Sequence, residues 1–239
     1  MENMSQYGSV EYWDDRYTKD TEFFDWYQKW EGIKDLLMEL GLSTDDNILV
    51  VGCGTSRLSE DMFKEGYTQI TSVDNSPVCI QLMQKKFAAL PKLICMSNCR
   101  NDVESMFINK VGLMSSLPIS FFANKMPLFF KLCSTDKQMD CMNMNEIANE
   151  EFDAVIDKGT LDSLLCGNEF IQNIRALLNE CVRVLKPSGK YFCISYGKPT
   201  TRLVHFQAEH FPWEVTFKTI KKPIVGTTSV LDEDSLCMK

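Results

Sequence analysis

Gly52 and Gly54 bracket Cys53 directly after an aliphatic run, Ile48-Leu-Val-Val51, and Asp74 ends a second run, Gln69-Ile-Thr-Ser-Val. These residue types at this spacing can hold a nucleoside. Glycine lets a backbone approach a ligand closely and accept φ > 0. A carboxylate at a strand's carboxyl end can accept two hydrogen bonds from a ribose diol, each worth roughly 1.5–3 kcal/mol because the acceptor is charged. The acid falls about 20 residues after the glycine turn, the layout of a nucleoside-binding βαβ unit. A dinucleotide turn wants a third glycine, three residues after the second, for close packing against a pyrophosphate. Arg57 stands there. A ligand with adenosine and no phosphate fits better, which favours S-adenosylmethionine (SAM) over a nicotinamide or flavin cofactor.

The elements that must position these residues are legible around them. Ile48–Val51 reads as a strand buried on both faces of a parallel sheet. Residues 56–65 read as a helix with Leu58, Met62 and Phe63 on one side, closed by Gly66. Asn75-Ser-Pro77 opens another helix, continued by Val78 to Leu90. Leu93 to Met96 is expected as the third strand, with Asn98 and Cys99 at its carboxyl end, where an adenine amine would be read. Residues 152–157 are the fourth strand. Phe170 to Leu185 is a helix stopped by Lys186-Pro-Ser-Gly189, and 190–195 the fifth strand. Phe211 to Ile220 and Pro223 to Val230 are expected as an antiparallel edge pair, and Asp232 to Lys239 as a polar tail. The fold class implied is α/β: a Rossmann-like, seven-stranded, mostly parallel sheet with helices on both faces.

Two segments fall outside this rhythm. Tyr7 to Tyr27 is dense in aromatic residues (Tyr12, Trp13, Tyr17, Phe23, Phe24, Trp26, Tyr27), and 12–17 should be helical, placing Trp13 and Tyr17 on one face. It reads either as an aromatic cap over the sheet edge or as a lid whose rings stack on adenine or approach a sulfonium cation. An amphipathic helix, Gly32 to Leu42, follows. Residues 100–151 are rich in Met, Asn, Cys and Ser and poorly periodic. So long a connection reads as an insertion, with Leu113 to Leu132 its most apolar part. The chain of 239 residues is thus expected to form a single domain: an aromatic lid and helix over 1–46, a SAM-binding half over 47–99, the insertion, and a C-terminal half over 152–239.

Composition bounds the partners. A net charge of −8 disfavours a nucleic-acid backbone as main partner and is compatible with a basic, lysine-bearing protein surface. The ten cysteines are scattered, several inside apolar runs, and with two histidines and no paired C-x-x-C a zinc site is not expected. The first residues lack a signal-peptide pattern, and no apolar run reaches the roughly 18 residues of a spanning helix. A reduced, cytoplasmic, monomeric protein is expected, away from membranes.

The order strand-Gly-Cys-Gly, strand-Asp, Phe152-Asp-Ala-Val-Ile-Asp157, then Leu185-Lys-Pro-Ser-Gly-Lys190 before a strand resembles the class I SAM-dependent methyltransferases. The strings Glu11-Tyr-Trp-Asp-Asp-Arg-Tyr17, Val51-Gly-Cys-Gly-Thr-Ser56 and especially Asp157-Lys-Gly-Thr-Leu-Asp162 resemble the protein-lysine methyltransferases that include enzymes acting on elongation factor 1-alpha. The resemblance covers 7–100 and 151–200, omits the insertion and is loose after Thr201. It implies SAM contacts at Trp13, Tyr17, Trp26, Gly52, Gly54, Asp74, Asn75, Asn98, Cys99 and Lys158, with S-adenosylhomocysteine as product. Asn98 stands where the family usually has aspartate, keeping an acceptor but losing charge assistance. Lys158 has the alternative of a solvated loop charge. The implied reaction is in-line methyl transfer to a lysine nitrogen of a protein. Asp157 is expected to orient that amine, with the alternative that it caps the following turn. A small-molecule methyltransferase of the same fold and a non-catalytic SAM-fold binding partner are the competing readings.

Overall fold

The computed structural model describes residues 4–88, 135–207, 211–221 and 235–238. Helices α1 (Val10–Lys19), α2 (Trp30–Glu39), α3 (Leu58–Lys64), α4 (Pro77–Ala88), α5 (Thr160–Leu165), α6 (Phe170–Val184) and α7 (Pro199–Phe206) surround strands β1 (Ile48–Val51), β2 (Ile70–Asp74), β3 (Thr135–Gln138), β4 (Phe152–Lys158), β5 (Leu185–Ser195), β6 (Phe217–Ile220) and β7 (Ser235–Met238). The strands lie in the order β3-β2-β1-β4-β5-β7-β6. The first five are parallel, and β7 joins β5 and β6 antiparallel.

β1 sits at the centre because all four of its residues are aliphatic and buried. Successive side chains point to opposite faces. Ile48 and Val50 pack with Trp30, Ile33 and Leu37 of α2 and Leu58 and Met62 of α3. Leu49 and Val51 pack with Ile174, Leu177, Leu178 and Cys181 of α6. Each fully buried aliphatic side chain contributes roughly 1.5–3 kcal/mol, so this strand secures both helical layers. Its carboxyl end, and those of β2 and β4, then open on one edge of the sheet.

Four expectations are corrected. β3 falls at 135–138, inside the stretch expected as an insertion. Thr-Asp-Lys-Gln carries no apolar residue, since among the described strands β3 is the sheet edge, where polar side chains are favoured. The strand expected over 211–220 begins only at Phe217, and the expected polar tail contains β7. The helix ends at Val184, just before Lys186 to Gly189, as expected, but the fifth strand, expected over 190–195, already begins at Leu185. Leu185 pairs with Phe152 and Lys190 with Ala154, so Lys186 to Gly189 bulge within β5. α5 and α7 were not anticipated, both being short. The expected strands at 93–96 and 223–230 and the apolar segment 113–132 lie outside the described residues.

Candidate functional site

The glycine turn is forced. Gly52 and Gly54 have φ of +57° and +53°, the left-handed region that favours glycine. A Cβ on Gly52 would stand 2.1 Å from Oγ1 of Thr160, and one on Gly54 2.9 Å from the Tyr17 hydroxyl. Thr160 Oγ1 donates to the Val51 carbonyl at 2.9 Å, tying the start of α5 to the end of β1. The turn is therefore a bare backbone cradle between α1 and α5.

Asp74 ends β2 beside it. Its Oδ2 accepts from the Gly54 N–H and its Oδ1 from the Ser76 N–H, both at 2.9 Å. Burial raises its carboxyl above the usual range, against these two amides. Each oxygen keeps a further lone pair for a diol.

The aromatic segment is α1 and the irregular chain after it. Ser9 caps α1 by accepting from the Tyr12 N–H at 3.2 Å. Trp13 stacks on Tyr17 with ring centroids 5.7 Å apart, and its indole N–H donates to the Tyr7 carbonyl at 2.7 Å. Tyr17 is buried against Cys79 and Met83 of α4, so it packs the body as well as facing the pocket. The Phe24 N–H donates to the Thr55 carbonyl at 3.0 Å, bringing the end of the lid over the glycine turn.

Lys158 anchors the segment beyond. It is no solvated loop charge. Its ammonium lies 2.9 Å from Asp25 Oδ1 and donates to the Trp26 carbonyl at 3.2 Å. Burial lowers its pKa, and the Asp25 charge opposes that. Asp25 also accepts from the Ser56 hydroxyl. Tyr27 follows with φ +62°, rare for an aromatic residue. Its hydroxyl donates to Asp162 at 2.7 Å, and Asp162 also receives Arg202 and the Ser195 hydroxyl.

Trp13, Tyr17, Trp26, Gly52, Gly54, Asp74, Asn75 and Lys158 all line one pocket. Asp157 does not. It is fully buried and accepts from the Thr160 N–H at 2.9 Å, the Leu161 N–H at 3.1 Å and the Tyr191 hydroxyl at 2.8 Å. Its expected role as orienter of an amine is corrected to that of a cap for α5: no oxygen is left to face a substrate. Burial pushes its carboxyl up to about 7 against those hydrogen bonds.

Asn98 and Cys99 lie outside the described residues. The strand beside β2 is β3, and the residues leaving its carboxyl end, Met139, Asp140, Cys141 and Met142, line the pocket. The Met139 N–H donates to the Asp74 carbonyl at 2.9 Å, and Asp140 accepts from the Met142 N–H at 2.9 Å. Asp140 was missed because the strand delivering it has no apolar signature. Its distance before the β4 motif was the available cue.

Cys53, Asp74 and Cys79 place their ligating atoms within 4.8 Å of one another. The hydrogen bond to Cys79 and then burial hold the Cys53 thiol well above its usual value. For Cys79 the hydrogen bond with Cys53 pulls down, and burial with the Asp74 charge outweighs it. Metal ligation needs thiolates, and this trio disfavours them.

A glycine cradle a Cβ would fill, a buried strand-end acid and a stacked aromatic lid define the site of a Rossmann-like methyltransferase, and these residues fit SAM. The methyltransferase domain family matches residues 124–193. EEF1A lysine methyltransferase 4 of Bos taurus is 30% identical over 223 residues, covering 89% of this chain and 71% of that protein. The eEF1A lysine and N-terminal methyltransferase of Homo sapiens is 28% identical over 196 residues, covering 81% of this chain and 22% of that protein. A solved structure from the conversion of a disulfide bond into a thioacetal group during echinomycin biosynthesis superposes with a TM-score of 0.56 at 17% identity, over 96% of this chain and 89% of that one. The chain belongs to the class I SAM-dependent methyltransferases, and SAM is its cofactor.

Proposed function

We propose that the protein methylates a lysine side chain of a protein substrate, with elongation factor 1-alpha as the substrate to test first. The observation that supports this most is the 30% identity to an EEF1A lysine methyltransferase over 89% of the chain, joined to a pocket lined by residues of the strings 11–17, 51–56 and 157–162. A lysine-bearing partner also suits the net charge of −8. The reading includes a cytoplasmic, monomeric enzyme that acts without nucleic acid or membrane contact.

When bound, SAM supplies an electrophilic methyl group on a sulfonium. Asp74 would hold the ribose, the Gly52–Gly54 backbone and the lid the amino-acid half, and Asp140 with Cys141 the adenine side. The chain's contribution to rate is alignment, which removes several kcal/mol from such a barrier. The acceptor lysine must be neutral. With a pKa near 10.4 it is deprotonated about one part in 10³ at pH 7, a cost of roughly 4–5 kcal/mol. Among the described residues lining the pocket, the carboxylates are Asp74 and Asp140, and no histidine is present.

Purified protein, radiolabelled SAM and either a cytosolic extract or elongation factor 1-alpha test this, run beside Asp74→Ala. A discrete labelled protein band, absent with the variant, is expected. Label confined to small molecules would overturn the protein-substrate reading, and no label despite bound SAM would favour a non-catalytic partner.

A further inference from the structure

The pocket has two cations among its described lining residues, Arg16 and Lys158. Lys158 is already neutralised: Asp25 lies 2.9 Å from its ammonium, and both side chains are buried. Arg16 is different. Its guanidinium carbon sits 5.4 Å from the centroid of Phe24 and 5.7 Å from that of Trp26, resting on two aromatic faces. No carboxylate pairs with it among the described residues. Cation–π contact holds a guanidinium without using its N–H donors, and those donors form a rigid fork that matches a carboxylate.

Its place in the pocket follows from its neighbours. Phe24 is joined to Thr55, directly after Gly54, and Trp26 to Lys158 at the end of β4. Arg16 therefore stands at the glycine-turn end. The ribose acid Asp74 and the Met139–Met142 segment mark the nucleoside end. The end beside Arg16 takes whatever extends beyond the ribose, which in SAM is a methionine moiety ending in an α-carboxylate. In a chain of net charge −8, that carboxylate needs a cation, and the other cation on the wall is occupied.

We propose that Arg16 is the receptor for the α-carboxylate of the cofactor's amino-acid half, pre-oriented by Phe24 and Trp26. The inference rests on the reading of this pocket as the SAM site. The lid thus recognises the cofactor by charge as well as by its rings, and α1 is held down by an ionic contact only when the amino acid is attached to the nucleoside.

Calorimetric titration of wild-type protein and Arg16→Met with two ligands tests this. S-adenosylhomocysteine carries the amino acid, and 5′-methylthioadenosine shares the nucleoside and thioether without it. Methionine keeps an apolar stem on the two rings. The variant is expected to bind S-adenosylhomocysteine about 10- to 100-fold more weakly, the loss of a hydrogen-bonded charge pair, with methylthioadenosine affinity unchanged. Equal weakening of both ligands would show a merely structural arginine and overturn the proposal. Unchanged S-adenosylhomocysteine affinity would overturn it while leaving the cofactor reading intact. Failure of wild-type protein to bind either ligand would remove the cofactor reading itself, and the proposal with it.

Discussion

The Asp25 carboxylate and the Lys158 ammonium lie 2.9 Å apart with side chains 8% and 4% exposed, joining the aromatic lid to the end of β4. The pair is buried, so its loss is felt asymmetrically. Removing one partner leaves an uncompensated charge, at a cost of about 3–5 kcal/mol. Lys158→Met is therefore expected to destabilise the fold by that order in urea denaturation. Asp25→Asn combined with Lys158→Met should recover most of the loss, since neither charge then remains. A double variant no more stable than Lys158→Met would show that the pairing is not what the single variant removes.

Gly52 meets two constraints at once, a φ of +57° and Thr160 Oγ1 2.1 Å from the position of a Cβ. Left-handed backbone costs an L-residue about 1–2 kcal/mol. Gly52→Ala should cost more than that, because Thr160 must also move and release the Val51 carbonyl. Measured against Thr160→Ala, the double variant Gly52→Ala/Thr160→Ala should lose much less, because only the Cβ of residue 160, 3.0 Å from the added methyl, then remains beside it. Denaturation midpoints of the three variants check this, and an additive pair of losses would refute the steric coupling.

The glycine turn, Asp74 and the lid rings were legible because each carries a local signal: φ > 0 demands glycine, and a buried parallel strand demands a run such as Ile48–Val51. Lys158 was legible as a motif residue, but its partner was not, since 133 positions separate Asp25 from it. For Asp157 the sequence left two roles open, orienter of an amine or cap of the following turn, and the hydrogen bonds match the cap. A strand-end carboxylate looks identical in sequence whether it faces a ligand or a helix terminus, and only the Tyr191, Thr160 and Leu161 donors decide. Thr135–Gln138 was invisible because a strand at the edge of the described sheet needs no apolar alternation.

Asp157 predicts a pH dependence of stability. Its folded-state value is raised to about 7 by burial, above an unfolded value near 3.9. Between those values the folded state binds more protons than the unfolded, so stability falls as pH rises from about 4 to 7, by at most about 1.4 kcal/mol per unit. Asp136, pushed up to about 6 by burial, adds the same sign. Glu65 and Glu180, held low by their hydrogen bonds with Lys34 and Arg183, oppose it only in more acid solution. Asp157→Asn should flatten the decline between pH 4 and 7 in thermal unfolding. As Asp157 is a cap, that variant should also keep methyl transfer per folded molecule within several-fold of wild type. A total loss of turnover in folded protein would restore it to the catalytic machinery.

Asp140 offers a separate test of where the adenine is read. It leaves β3 next to Met139, whose N–H is bound by the carbonyl of Asp74, so the ribose acid and Asp140 are fixed to each other by the backbone. Unlike Asp157, Asp140 lines the pocket, and its Oδ1 accepts a single hydrogen bond, from the Met142 N–H. Its other oxygen is available to an exocyclic amine, a hydrogen bond to a charged acceptor worth roughly 1.5–3 kcal/mol. Asp140→Ala should therefore weaken S-adenosylhomocysteine and methylthioadenosine together, by about 10- to 100-fold, because both carry the adenine. Asp140→Asn keeps an acceptor without the charge and should fall between. This pattern differs from that of Arg16→Met, which separates the two ligands. If Asp140→Ala bound both as wild type does, the adenine would have to be read from elsewhere, and Asn98 and Cys99 would become the residues to vary next.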